Sequence, residues 1–335
     1  MSGAEVLRID NLSISFRVYG GYLRVVRGLD LRLNRGERVA IVGETGCGKT
    51  TTVKAVFGIL PRQAVVDAGS VRFGDVDVLT ATAAELADIR RHRAAMIFQD
   101  PTSSLNPIFT IGDQVEEIVG VALSHGRRSS RKHRSLFRQT AVRALSDASM
   151  PDPERILKSY PMQLSGGMRQ RVCIAMALAT PRELLVADEP TTNLDVTIQD
   201  QVLRLVKQLA ADKGTSLILI THSLGVARET AERIHVMYAG TMVEMGHTAE
   251  LFESPLHPYT RLLLSSVPKL TGDGISQGIP GRLPDYLHPP VGCRFAPRCP
   301  SVMPVCEIQA PKTVEVAEHH HVACFSYGGM EASNE

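Results

Sequence analysis

The sequence contains no tryptophan, and aromatic residues make up only 5% of its 335 residues. It has no apolar run of about 18 residues, which a membrane-spanning helix would need, so we expect a chain that does not cross a bilayer. The N-terminus shows no charged segment followed by an apolar core, and this favours a reducing compartment over secretion. Basic and acidic residues nearly balance, with a formal net charge of +2. No overall charge therefore recruits nucleic acid or anionic lipid.

The length predicts two lobes, since a domain has roughly 150 residues. Residues 7–16 and 25–33 alternate apolar and polar side chains, which predicts an antiparallel sheet at the start of the fold. Residues 184–187 and 217–220 are wholly apolar, as is typical of buried parallel strands. We therefore expect an α/β fold. One domain should cover residues 1–250 with an inserted helical subdomain at about 100–165, and the many later prolines predict an irregular extension over 251–335.

Residues 43–50 match the phosphate-binding pattern G-x-x-x-x-G-K-S/T, between a predicted strand and a predicted helix. The loop consists of Gly43, Glu44, Thr45, Gly46, Cys47, Gly48, Lys49 and Thr50, and Thr51 follows it. Glycines let backbone N–H groups face a phosphate, while Lys49 adds a mobile charge and Thr50 a hydroxyl for magnesium. A glycine turn that merely starts a helix is the alternative, and the flanking strand argues against it. A neighbouring lysine could lower the thiol pKa of Cys47, whose regulatory role stays open.

Two carboxylates end the apolar strand at residues 184–187. Asp188 could hold magnesium, while Glu189 could orient and deprotonate an attacking water. An acidic loop without function is the alternative, but the phosphate loop favours the catalytic interpretation. A cap serine followed by glycines exposes N–H groups at a helix start, which suits a γ-phosphate. Such a second anion site is predicted at Ser165, Gly166 and Gly167.

With these motifs the chain resembles the ATP-binding subunits of ABC transporters. The six motifs of that family follow in order at residues 43–50, Gln99, 164–171, 184–189, 193–195 and His222. The resemblance implies that Gln99 approaches the magnesium and the attacking water, and that His222 contacts the γ-phosphate. A lone histidine at a strand end would otherwise more often be structural. The D-loop keeps Asp195, although Thr192 and Asn193 replace the residues common in the family.

The family also stacks adenine on an aromatic residue of its first sheet. The candidates are Phe16, Tyr19 and Tyr22, of which we favour Phe16; packing within a hairpin is the alternative. The resemblance further implies that each ATP lies between the phosphate loop of one subunit and the signature, residues 164–171, of another. This chain has one of each. An isolated monomer should therefore bind ATP but hydrolyse it poorly.

Residues 99–114, QDPTSSLNPIFTIGDQ, resemble the ATPases of oligopeptide and dipeptide importers, and the signature LSGGMRQR favours their D-type subunit. The residues His257-Pro258-Tyr259 and the segment 292–300 match the C-terminal extension of the same branch. The resemblance implies an F-type ATP-binding partner, two membrane permease subunits and an extracytoplasmic solute-binding protein. It also implies a peripheral location on the cytoplasmic face of the inner membrane. Residues 101–111 would dock a membrane subunit, unless they form an ordinary surface loop.

The sequence thus predicts an ATPase, with ATP and Mg²⁺, that powers import of peptides or a related small solute. A soluble ABC ATPase acting on ribosomes or nucleic acid is the alternative; those chains typically carry two cassettes or a long coiled-coil insertion, and this one has neither. A purely regulatory nucleotide binder is a third possibility, against which the complete catalytic set argues. The solute itself stays open among peptides, nickel chelates, opine-like compounds and glycosides.

The remaining cysteines concentrate near the end of the chain, at Cys293, Cys299, Cys306 and Cys324. Four thiolates can close a zinc site or hold an iron–sulfur cube. Their loose spacing does not match paired zinc knuckles, and related peptide-importer ATPases carry a 4Fe-4S cluster at this segment. We therefore expect a structural 4Fe-4S cluster, with zinc or no metal as alternatives. The adjoining residues 319–321 are interpreted as a surface histidine cluster.

Overall fold

A computed structural model describes residues 4–123, 131–192, 194–266 and 278–328. The chain divides into two compact units. Unit 1 contains residues 4–6, 34–37 and 81–219, and unit 2 contains residues 7–33, 38–80 and 220–328, in each case with the gaps just given. Unit 2 thus combines early segments of the chain with its last part. Across these described residues, no helix has both the length and the apolar character that a membrane span requires.

The strands in chain order are β1 (Glu5–Val18), β2 (Gly21–Asn34), β3 (Arg38–Val42), β4 (Ala64–Phe73), β5 (Val76–Asp77), β6 (Ala94–Ile97), β7 (Leu184–Asp188), β8 (Ser216–Thr221), β9 (Arg233–Tyr238), β10 (Thr241–His247), β11 (Val314–Ala317) and β12 (His320–Val322). The α-helices are α1 (Lys49–Val56), α2 (Ala83–Asp88), α3 (Pro101–Ser104), α4 (Ile111–Leu123), α5 (Arg131–Asp147), α6 (Pro153–Leu157), α7 (Gly166–Ala177), α8 (Val196–Asp212), α9 (Leu224–Thr230), α10 (Thr248–Glu253), α11 (Pro258–Ser265) and α12 (Pro304–Ile308). A π-helical turn covers Ile89–Arg93, and short 3-10 helices cover Pro161–Gln163, Ala296–Arg298 and Phe325–Tyr327.

The predicted antiparallel sheet is confirmed in unit 2, where four strands lie in the order β2-β1-β4-β5. Strand β1 pairs with β4 so that Leu7 faces Phe73, and both side chains are fully buried. The pairing shifts between Asp10 and Ser13, where Asn11 has a φ of +46°. Such a bulge bends the strand locally. Alternation of apolar and polar side chains therefore produced one buried face, as expected for a half-covered sheet.

The second sheet of unit 2 has the order β11-β12-β10-β9-β3. Strands β3 and β9 run parallel, with Val39 opposite Arg233, whereas β9 and β10 run antiparallel. Strand β12 adds to the edge of β10, with Val322 opposite Glu244. The extension therefore has more regular structure than its prolines suggested. Its strands were missed because they contain only four and three residues.

In unit 1, strands β8, β7 and β6 lie side by side, and β6 pairs with β7 in parallel. Every residue of β7 and β8 is buried, as expected for covered strands, and the pairing with β6 confirms the parallel direction for β7. The helices of this unit enclose a core of their own. It includes Ile111, Val115, Leu145, Ile156 and Val172.

Candidate active site

The predicted phosphate loop lies in unit 2, between β3 and α1. Gly46 and Gly48 adopt φ values of +84° and +107°, in the region that favours glycine. A Cβ on Gly43 would lie 2.1 Å from the carbonyl oxygen of Met237, and one on Gly48 would lie 2.9 Å from the Met237 Cε atom. Glycine is therefore required both by backbone conformation and by the close approach of β9.

Lys49 folds back over this loop. Its side chain is buried, and its Nζ atom donates to the carbonyl oxygens of Gly43 at 2.8 Å and Glu44 at 3.1 Å. Carbonyl oxygens are neutral acceptors. Phosphate oxygens could therefore replace them at the Lys49 ammonium without breaking an ion pair. The loop therefore has the backbone shape and the mobile cation that an anion site needs.

Cys47 is fully buried beneath the loop, with its Sγ atom 3.9 Å from Lys49 Nζ. Burial raises the thiol pKa, and the nearby ammonium offsets this only in part. The expected net lowering of the pKa of this thiol is therefore wrong, because burial outweighs the effect of Lys49. Cys47 is a neutral, packed side chain in the loop rather than an activated nucleophile.

The other predicted residues of unit 2 occupy different positions. Thr50 is exposed and Thr51 half-buried in the first turn of α1, while His222 is exposed just after β8. Phe16 is half-buried on β1, opposite Ala64. Tyr19 and Tyr22 are exposed in and after the turn that joins β1 to β2.

In unit 1, Asp188 is the buried last residue of β7, and Glu189 follows with a φ of +46°. That conformation is uncommon for a residue other than glycine and often marks a functional turn. The Glu189 carboxylate accepts hydrogen bonds from Gln99 Nε2 at 3.2 Å and from Thr192 Oγ1 at 3.0 Å. The structure thus brings Gln99 and Glu189 together. It also adds Thr192, which sequence reasoning treated only as a departure from the common D-loop; its hydroxyl three residues after Glu189 was the available signal.

The predicted second anion site is the start of α7. Ser165 is the N-cap, and its hydroxyl accepts from the Met168 N–H at 3.3 Å. A Cβ on Gly167 would lie 2.8 Å from Ile198 Cγ2, so this glycine lets α7 approach α8. Gly166 has more room, with Leu194 Cδ2 at 3.7 Å from such a Cβ. Asp195 is exposed just before α8, and Asn193 lies outside the described residues.

The predicted Mg²⁺ ligands offer the oxygen donors that this hard cation prefers. Thr50 presents a hydroxyl in an exposed first helical turn of unit 2. In unit 1, Asp188 ends β7 and Gln99 follows β6. Each residue therefore offers oxygen chemistry that suits magnesium, near the end of a regular element.

The predicted iron–sulfur cluster is wrong. Within residues 278–328, which contain all four late cysteines, and elsewhere in the described chain, no three histidine, cysteine, aspartate or glutamate side chains are grouped so that they could hold a metal. The zinc alternative fails for the same reason.

Two of the four thiols, those of Cys306 and Cys293, are packing groups instead. Cys306 is buried with Ala296 and Phe325, and Cys293 packs against the same cluster. Burial raises the pKa of the Cys293 thiol to about 11, and it also raises that of Cys299. Neutral cysteine behaves as a small apolar side chain, which explains this small core without a metal.

The histidine interpretation is also corrected in part. His319 is exposed, but His320 is buried, with its Nε2 atom 2.9 Å from Glu244 Oε1. The Glu244 carboxylate accepts two further hydrogen bonds at 2.8 Å, from the N–H groups of Leu256 and His257. This buried glutamate therefore joins β12 and the start of α11 to β10.

The glycine loop with its lysine, the acidic strand end and the serine-glycine helix start are those of an ATP-binding cassette. The family model "ABC transporter" matches residues 26–192, and the model "Oligopeptide/dipeptide transporter, C-terminal region" matches residues 243–306. The chain belongs to the ABC transporter ATP-binding proteins of the oligopeptide/dipeptide type. It is accordingly an ABC ATPase.

Two relatives from Bacillus subtilis (strain 168) match almost end to end. The dipeptide transport ATP-binding protein DppD is 45% identical over 96% of this chain and 94% of its own length. The oligopeptide transport ATP-binding protein AppD is 42% identical over 97% of each chain. Among solved structures, the dimeric ATP-binding cassette MJ0796, described as a post-hydrolysis state bound to ADP and Pi, has a TM-score of 0.63 and 27% identity over 72% of this chain and 98% of that one.

Proposed function

We propose that this chain is the ATP-hydrolysing subunit of an importer for peptides or a related small solute. The observation that supports this most is the 45% identity to DppD, a dipeptide transport ATP-binding protein, over 96% of the chain. The similarity includes the C-terminal region as well as the cassette. A soluble ABC ATPase acting on ribosomes or nucleic acid finds no supporting observation.

Binding of the triphosphate is assigned to the phosphate loop and Lys49. The buried ammonium would exchange its two carbonyl partners for phosphate oxygens, and N–H groups of the loop would add neutral donors. Phe16 would stack on adenine, and His222 would contact the γ-phosphate. Mg²⁺, when bound, neutralises phosphate charge, and Thr50, Asp188 and Gln99 would hold it.

Proton removal from the attacking water is assigned to Glu189. Its Oε2 atom accepts hydrogen bonds from both Gln99 and Thr192, which hold the carboxylate so that it can present a lone pair in a fixed direction. This pairing supports a base whose position is set before water arrives. Oriented acceptors of this kind lower a barrier because they need no rearrangement during reaction.

Ser165, Gly166, Gly167 and Asp195 are assigned to a nucleotide on a neighbouring subunit. The single phosphate loop and single signature in this chain support pairing with a second ATP-binding subunit, of the F-type in the importers it resembles. Two permease subunits and an extracytoplasmic solute-binding protein would complete the assembly, with this chain peripheral on the cytoplasmic face of the inner membrane.

Residues 101–111 are proposed to contact a permease subunit. Asp100 caps the short helix α3 there, accepting from the N–H groups of Thr102 and Ser103. The next turn exposes apolar side chains, with Ile108 at 77% and Phe109 at 52% of full exposure. Exposed apolar groups on an otherwise ordered loop support an interface with another protein.

The test is ATP turnover by the complex of this chain with its membrane subunits, reconstituted in vesicles. We expect turnover to rise when a solute-binding protein loaded with peptide is supplied. We also expect peptide to accumulate on the side of the membrane that carries this chain. Ribosomes, RNA and DNA serve as controls and should leave turnover unchanged. Stimulation by one of these controls, with no response to peptide, would contradict the proposal.

A further inference from the structure

Three side chains of the C-terminal extension contact the phosphate loop within unit 2. The Tyr259 hydroxyl accepts from the Glu44 N–H at 3.1 Å, and the Tyr286 hydroxyl donates to the Gly46 carbonyl at 2.9 Å. Arg298 Nη1 lies 3.0 and 3.1 Å from the two carboxylate oxygens of Glu44. Each contact joins residues more than 200 positions apart in the chain.

Arg298 is itself held firmly. Its side chain is only 4% exposed, and it also donates to the carbonyl oxygens of Pro280 at 2.7 Å and Ile279 at 3.1 Å. Its guanidinium lies 5.6 Å from the ring centroid of Tyr238, whose hydroxyl is 3.3 Å from Nη1. These contacts hold the side chain in one conformation, and an arginine with fixed geometry holds a carboxylate in one orientation.

Tyr286 is anchored through its backbone, because its carbonyl oxygen accepts from the Arg24 N–H at 2.8 Å. Burial raises the pKa of its hydroxyl, which therefore keeps the proton it donates to Gly46. The peptide unit that carries the Gly46 carbonyl also carries the Cys47 N–H, which donates to the Glu44 carbonyl at 3.2 Å. One peptide plane of the loop is thus held at both ends.

Glu44 is the point where these contacts meet. Its N–H and carboxylate are held by the extension, while its carbonyl accepts from Lys49 Nζ. A loop that binds anions through its backbone loses affinity if the free loop samples other conformations, because ordering must then accompany binding. Contacts that restrict Glu44 and Gly46 reduce that cost.

We propose that the C-terminal extension braces the phosphate loop of its own subunit, with Arg298 and Tyr286 as positioning residues for nucleotide binding. This inference rests on the proposed binding of ATP by that loop. It gives the extension a task in nucleotide binding that does not depend on a metal cluster at the late cysteines.

The experiment measures the Kd of the full chain for Mg-ATP, together with its thermal unfolding in the absence of nucleotide. Tyr286→Phe removes one hydroxyl and should weaken binding about 5-fold. Its matched control is Tyr327→Phe, because the Tyr327 hydroxyl also donates to a backbone carbonyl, that of Leu256 at 3.2 Å, and neither residue is among the loop contacts given above. The control should bind within about 2-fold of the wild type.

Arg298→Gln should weaken binding about 10-fold, since it removes a charge-assisted pair. Arg282→Gln, an equivalent change at an exposed residue of the same segment, is its control. Because Arg298 would act through Glu44, the double variant Glu44→Gln with Arg298→Gln should bind no worse than Arg298→Gln alone. In the assembled ATPase, both single variants should raise KM for ATP and leave kcat within about 2-fold.

Wild-type affinity in both Tyr286→Phe and Arg298→Gln would overturn the brace, as would equal weakening by Tyr327→Phe. A lowered unfolding temperature with an unchanged Kd would also overturn it, because a structural role alone explains that result. Lys49→Ala separates failure of the brace from failure of the proposed function. If the wild type binds ATP and Lys49→Ala does not, wild-type affinity in Tyr286→Phe and Arg298→Gln refutes the brace alone. If the wild type binds no ATP, the proposed function and the brace are both refuted.

Discussion

The phosphate loop and the turn at Glu189 are both sharply bent, but they present different groups. The loop uses glycines and offers backbone N–H groups and one buried lysine. The turn places a glutamate at a φ of +46° and directs its carboxylate to side-chain donors. The first arrangement suits holding an anion, and the second suits moving a proton. The two regions should therefore respond differently to substitution: the loop through affinity, and the turn through the rate of chemistry.

The largest effect should come from Glu189→Gln. The amide keeps the size of the side chain but cannot accept a proton, so kcat of the assembled complex should fall about 1,000-fold, within the range known for general bases. ATP binding should stay within a few-fold of the wild type. Turnover is measured by phosphate release and binding by a nucleotide Kd. Normal turnover in this variant would remove Glu189 from its proposed role.

Lys49→Ala changes the phosphate loop and should therefore act on affinity for ATP. Loss of the ammonium removes charge-assisted contacts with the triphosphate, so the Kd for Mg-ATP should rise by about 10-fold to 100-fold. Isothermal titration measures the change, and Lys54→Ala, on the same helix but away from the loop, is the control. An unchanged Kd would mean that the loop does not hold the phosphates.

Glu244→Gln tests how the extension is anchored. The carboxylate is buried and accepts from two N–H groups while facing His320, so the variant should lose about 2 kcal/mol in the free energy of unfolding. Denaturant unfolding provides the measurement. Glu250→Gln, an exposed change on α10, should shift stability by less than about 0.5 kcal/mol. Equal stability in the two variants would show that the buried contacts contribute nothing.

The smallest effect is expected from Thr192→Val. Removing the hydroxyl leaves Gln99 as the remaining donor to Glu189 described above, so kcat should fall about 5-fold with KM for ATP unchanged. Thr191→Val is unsuitable as a control because the Thr191 hydroxyl accepts a hydrogen bond from Gln199 Nε2 on α8 at 2.9 Å. Thr192→Ser, which keeps the hydroxyl, is the better control and should restore the rate. If Thr192→Val weakened ATP binding and left kcat unchanged, the turn at Glu189 would respond as the phosphate loop does, which would contradict the distinction between them.

The sequence predicted the fold class and the positions of the short motifs because each depends on neighbours within a few residues. Glycines near Lys49 and the apolar strand before Asp188 are signals of that kind. The roles of the individual site residues and the boundary at residue 250 stay predictions. Contacts such as Arg298 with Glu44 had no local signal, because they form only when distant segments meet.

The prediction of a metal cluster at the four late cysteines was wrong for a different reason. Four thiols within a short span can serve as ligands or as small apolar groups, and spacing alone does not decide between the two. Burial of Cys306 with Phe325 decides it in favour of packing. The strands β11 and β12 in the same segment were also missed, since pairing of β12 with β10 and of β11 with β12, rather than their own few residues, stabilises them.

The ties between the extension and Glu44 have a practical consequence for protein engineering. A shortened version ending at residue 250 would discard Tyr259, Tyr286 and Arg298 together, leaving the Glu44 N–H and carboxylate to water. A hybrid transporter assembled by swapping cassettes between related systems should consequently take its first 80 residues and its last 80 from the same parent, so that matched partners meet.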